Sequence, residues 1–146
     1  MVYDSVYGNT EKVAKALAKG LGDNGVDVDT LRVDMVNFDE LSKYDLLVVG
    51  GPVHAWSATK PIKAFLERLK TVKDLGGKKA FAYDTKLNRS SLAGNVGGSI
   101  EGSLKSLGFT IAKSHATAVV KGSKGPLEEG VEEAFIELGA ELAKMM

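Results

Sequence analysis

Apolar residues recur along the chain with two alternating periods. Val13, Ala14, Leu17 and Leu21 fall three or four apart, which places them on one face of a helix over residues 11–21. Ile62, Phe65, Leu66 and Leu69 repeat that spacing over residues 61–70, with Thr59 placed to cap the helix and Pro61 in its first turn. Ile100, Leu104 and Leu107 make a weaker stripe over residues 96–107, diluted by glycines. Leu127, Val131, Phe135, Leu138 and Leu142 form the clearest stripe and predict a last helix starting just after Pro126. A short helix is expected at residues 37–42. Between the helical stretches lie continuous apolar runs: residues 46–49 (LLVV), 80–83 and 109–112, the last continued past a bulge by 116–120. Runs of this kind suit strands buried on both faces. Residues 26–33 alternate imperfectly and read as an edge strand. At the start only Met1, Val2 and Tyr3 precede Asp4, so either the native N-terminus is longer or the first strand is short.

Strands alternating with helices imply one α/β domain, a doubly wound parallel sheet of five strands with helices on both faces. The length, 146 residues, suits a single domain. Hydrophobic residues make up 44% and charged residues 26%, the balance of a globular protein. Cysteine is absent, which removes disulfides and thiol chemistry and agrees with a cytoplasmic location. The stretch MVYDSV lacks the basic and apolar regions of a signal peptide and no apolar run is long enough to cross a membrane, so no membrane association is expected. Basic and acidic residues number 19 each, and no basic stripe interleaved with aromatics points to nucleic acid. The charges are unevenly spread. Residues 60–89 hold nine basic and three acidic side chains, and from Pro126 onward there are six glutamates and one lysine. Solvated helix faces of opposite sign account for this.

In an open parallel sheet, ligands bind beyond the carboxyl ends of the strands, which selects three loops. The first, SVYGNT, runs from Ser5 through Val6, Tyr7, Gly8 and Asn9 to Thr10 and leads directly into a helix. Gly8 permits a tight turn, backbone N–H groups and the helix N-terminus converge there, and Ser5, Asn9 and Thr10 add neutral donors. Such a loop holds a phosphate monoester without a lysine. A helix cap alone needs one of these residues, not the set. The second loop holds Pro52, Val53, His54, Ala55 and Trp56. The third begins with Asp84, Thr85, Lys86 and Leu87. The chain has no GxxxxGK[ST] and no GxGxxG after the first strand, and Gly50-Gly51-Pro52 stands where a receiver domain needs its phosphoacceptor aspartate. Two histidines without cysteine argue against a transition-metal site.

The stretch DSVYGNTEKVA resembles the phosphate loop of the flavodoxin family, Ser/Thr-x-x-Gly-x-Thr at the end of the first strand. Gly50, Gly51 and Pro52 followed by PIKAFLERL are similar to that family's second flavin loop. The resemblance implies strand order 2-1-3-4-5 with FMN at the switch point. It implies that residues 5–10 bind the phosphate. Residues 52–56 would line one side of the isoalloxazine, with Trp56 or His54 stacking, and residues 84–87 would approach its other edge. The implied function is electron transfer to a redox partner protein. An NAD(P)H-dependent quinone or FMN reductase, with His54 as proton donor, is the alternative, and a flavin-free interaction module is a third reading. The chain departs from the family in lacking an aromatic between Asp84 and Asn95 and in its neutral charge. Lys86 and Arg89, if their side chains reach the ring, would favour the anionic hydroquinone. The second loop also has no glycine from Pro52 to Lys60, so a peptide flip there meets a steric cost, and weaker semiquinone stabilisation is expected.

Overall fold

A computed structural model describes residues 1–87 and 94–146. Its centre is a parallel sheet. Strands β1 (Val2–Tyr3), β2 (Leu31–Arg32), β3 (Leu46–Pro52), β4 (Lys79–Leu87) and β5 (Thr110–Ile111) run in the order β2-β1-β3-β4-β5, and β6 (Ala116–Val120) also pairs with β4. Thr110 faces Lys79 and Ala116 faces Tyr83, so β5 and β6 are two pieces of one interrupted fifth strand. The sheet is the five-stranded doubly wound arrangement expected from the sequence.

Helices α1 (Asn9–Gly22) and α4 (Val131–Ala143) cover one face, and α2 (Lys60–Leu69) and α3 (Val96–Ser106) the other. The two-residue side-chain period of a strand sorts the core between them. Leu47, Val49, Ala80 and Ala82 join Ile62, Phe65, Ile100 and Leu104 on the α2/α3 side. Val48, Phe81 and Tyr83 join Leu17, Phe135 and Leu142 on the α1/α4 side. The stripes that predicted the helices are the buried ones: Val13, Ala14, Leu17 and Leu21 in α1, and Ile62, Phe65 and Leu69 in α2.

Four boundaries differ from expectation, each because of what the segment pairs with. The edge strand covers only Leu31–Arg32, because its one neighbour, β1, offers just Val2 and Tyr3 for pairing. The ladder between β3 and β4 is unbroken from Leu46↔Lys79 to Pro52↔Thr85, which carries both strands past the apolar runs that announced them. The last helix starts at Val131, not after Pro126. Leu127 instead bridges back to Val120, and Lys121 N donates to Pro126 O (2.8 Å). The short helix is a 3-10 segment, Phe38–Lys43, with Asn37 accepting from Asp39 N (3.1 Å).

Candidate functional site

Just past the carboxyl end of β1 the backbone turns at Gly8, whose φ of 90° is open to glycine at little strain, and α1 begins. Gly8, at the cap position, has no side chain to cap this helix, so among the described residues the N–H groups of Asn9 and Thr10 stay open to an anion. Ser5 sits across the turn, its Oγ accepting from Gly8 N (3.0 Å) and Glu11 N (3.4 Å) while the hydroxyl hydrogen stays available to donate. Asn9 and Thr10 are buried. Thr10 Oγ1 lies 2.8 Å from Thr85 Oγ1, and the Thr10 carbonyl accepts from the Tyr83 hydroxyl (3.2 Å). Strand β4 thereby holds the start of α1 in place. Val6 and Tyr7 point outward, each about half exposed.

The second loop is a two-residue hairpin turn. His54 and Ser57 form an antiparallel bridge, with His54 N donating to Ser57 O (2.9 Å) and Ser57 N to His54 O (3.1 Å). Between them Ala55 and Trp56 have φ of 50° and 64°. Both central residues of this turn type require positive φ, a role that glycine or asparagine normally fills. The steric cost argued from the missing glycine is therefore already present in the turn. Trp56 is 74% exposed. Val53 N donates to Thr85 O (2.9 Å), tying this loop to the end of β4.

Along β4 the side chains alternate. Thr85 lies on the α1 side, but Asp84 points to the other face, fully buried, where its Oδ2 accepts from Gly97 N (2.7 Å) in the first turn of α3. It acts there as a cap, and among the described residues its Oδ1 has no hydrogen-bond partner. Lys86 Nζ donates to Gly94 O (3.3 Å). Arg89 lies outside the described residues.

The three loops enclose a cleft of about 370 Å³. Every residue expected at the site lines it except Gly8, which shapes the backbone, and Asp84, which faces away. Two further residues, Val120 and Ser123, line it from the end of β6. The rule that led to the other three loops applies equally to KGSKG at the end of the last strand, and that signal was in the sequence. Asp4 was also missed. It is buried beneath the first two loops, accepting from Thr59 Oγ1 (2.5 Å) and pairing with Arg32 Nη2 (3.4 Å). His115 lies elsewhere, its Nδ1 2.9 Å from Glu101 Oε2.

The model of the flavodoxin family matches residues 1–137. The chain belongs to the flavodoxin family. Flavodoxin from Clostridium beijerinckii is 50% identical over 50 residues, a stretch that spans 34% of this chain and 36% of that relative. Among solved structures, oxidised flavodoxin 2 from Bacillus cereus matches with a TM-score of 0.86 at 20% identity, covering 99% of this chain and 97% of that one. The two-electron-reduced flavodoxin of Megasphaera elsdenii matches with a TM-score of 0.76 at 25% identity, covering 98% and 96%. Membership of the family implies FMN as cofactor. The donor set fits that group: a helix start whose Asn9 and Thr10 N–H groups are open, with neutral hydroxyl and amide donors for a phosphate, leading into a cleft walled by Trp56, Val53 and Leu87. No helix among the described residues is long and apolar enough to cross a membrane.

Proposed function

We propose that the protein is an FMN-binding electron carrier acting in the cytoplasm between redox partner proteins. The observation that carries this reading is the N-terminus of α1, its Asn9 and Thr10 N–H groups open toward the cleft at the point where strand order reverses, in a chain whose family match spans residues 1–137. FMN, when bound, supplies reversible one- and two-electron reduction, and the protein sets its potential and its access. Ser5, Asn9, Thr10 and the first-turn N–H groups hold the phosphate. Val53, His54, Ala55 and Trp56 face one side of the ring system, and Thr85, Lys86 and Leu87 its other edge. Trp56, the most exposed large apolar side chain here, shields the ring from water on its side. The Lys86 ammonium favours added negative charge on the ring. The turn at Ala55 and Trp56, closed by the bonds between His54 and Ser57 and tied through Val53 to Thr85, sets where that wall stands.

A carrier and a reductase on this fold differ in what donates the electrons. An anaerobic titration of FMN-loaded protein with dithionite, followed by mixing with an oxidised one-electron acceptor such as cytochrome c, tests the carrier reading. Full reduction and rapid electron delivery are expected, with no turnover when NADPH or NADH replaces dithionite. Sustained NAD(P)H oxidation with a quinone would favour the reductase instead, with His54 as its proton donor.

A further inference from the structure

The phosphate loop touches a segment that carries a positive charge. After β6 the chain makes a tight turn, with Gly125 N donating to Gly122 O (2.9 Å), and this turn leans on the start of α1. Asn9 Nδ2 donates to Lys124 O (3.2 Å). The contact is close enough that a Cβ on Gly125 would lie 2.7 Å from Asn9 Oδ1. Ser123, next along, lines the cleft. The Lys124 ammonium stands 6.0 Å from the centroid of the Tyr7 ring, over the loop itself.

Three other cations at this end of the sheet are engaged. Lys121, in the same turn, has its Nζ 3.5 Å from Glu129 Oε1. Arg32 reaches Ser5 O at 3.5 Å but shares its guanidinium between Asp4 (3.4 Å) and Asp34 (3.8 Å). Lys86 lies at the far end of the cleft, bonded to Gly94 O.

From this geometry we propose that Lys124 is a phosphate-recognition residue. The turn at residues 122–125 is a fourth wall of the cofactor site, in which Lys124 supplies a charge that the neutral donors of residues 5–10 lack. The inference rests on the FMN reading and adds to it one of this chain's own side chains as a contributor to holding the phosphate. A phosphate monoester carries close to two negative charges at neutral pH, and the exposed Lys124 ammonium, beside the Tyr7 ring of the same loop, acts on it through a partly screened field. The contribution therefore falls with ionic strength.

The test compares FMN with riboflavin, titrated by flavin fluorescence into apoprotein of the wild type and of Lys124→Met, Lys124→Glu and Lys124→Arg. Lys124 is exposed, so all four fold, and matching far-UV spectra and melting temperatures verify it. For FMN, Lys124→Met raises Kd by about tenfold at low salt, Lys124→Glu raises it further, and Lys124→Arg stays within about twofold of wild type. Riboflavin affinity is the same in all four. The FMN difference shrinks as salt rises from about 0.02 M to about 0.5 M. Equal FMN affinity in wild type and Lys124→Met would overturn the proposal while leaving FMN binding intact. So would a parallel loss for FMN and riboflavin, which marks a purely structural turn. Wild-type protein that binds neither flavin would overturn the FMN reading and this inference together.

Discussion

Tyr83 shows how one side chain couples the core to the site. Its ring fills the space above Gly50, where a Cβ would lie 1.9 Å from Tyr83 Cζ, and its hydroxyl donates to the Thr10 carbonyl. Burial pushes its pKa well above 10.0, with the charge of Tyr3 adding to the effect. The folded state therefore holds the phenolic proton more tightly than the unfolded chain does. Its contribution is fully present below pH 10.0 and is lost as pH rises above that value. Tyr83→Phe removes the alkaline loss from this group and, at neutral pH, costs about 1 kcal/mol for the missing hydrogen bond. Urea titrations of both proteins at pH 7 and above pH 10 measure the two effects. The buried Thr10–Thr85 hydroxyl pair makes a second test. Either single change to valine leaves one hydroxyl unpartnered and destabilises by about 1–3 kcal/mol, whereas the double change costs less than the sum. A double-mutant cycle in denaturant reads the coupling. The sequence placed Thr10 among the phosphate donors, and its link to β4 was not legible because pairs 75 residues apart have no local signature.

At the scale of elements, the contact between α1 and α4 depends on two glycines. A Cβ at Gly20 would lie 2.0 Å from Ile136 O, and one at Gly139 would lie 2.4 Å from Leu17 O. Gly139→Ala must push the helices apart and is expected to destabilise by at least about 2 kcal/mol, seen as a lower melting temperature. Gly22→Ala meets open space in α1 and is the control, expected to be neutral or to stabilise by up to about 1 kcal/mol. Helical periodicity made all four helices legible, but not their close approach, since nothing local distinguishes a packing glycine from a helix-weakening one. Strand ends were legible only in part, because apolar runs mark burial while the ladder is set by the partner's length. The second loop illustrates a subtler limit. Its lack of glycine was read as a barrier to positive φ, yet Ala55 and Trp56 both occupy that region because the His54–Ser57 pair closes the turn. Ala55→Gly relieves strain of about 1 kcal/mol and raises the midpoint of thermal unfolding. In FMN-loaded protein the same change shifts the spacing of the two one-electron potentials, measured by spectroelectrochemistry. An unchanged spacing would separate this turn from flavin tuning.

Across the whole molecule, the α/β order and the crossover at β1 and β3 bring loops distant in sequence to one end of the sheet. Three of the four walls of the cleft were legible from the rule that ligands bind at the carboxyl ends of parallel strands. The fourth, at Ser123, was passed over although the last strand is expected to end at residue 120, where β6 does end. Asp84 was assigned to the cleft by its place in the chain. The strand's two-residue period turns it to the opposite face, where it caps α3. The account's central claim is that this end of the sheet holds FMN by its phosphate. The most direct measurement is the absorbance spectrum of the protein after incubation with excess FMN and gel filtration. The account predicts oxidised-flavin bands eluting with the protein at one flavin per chain. Colourless protein at the same elution position, with all the flavin in the small-molecule fraction, would contradict it.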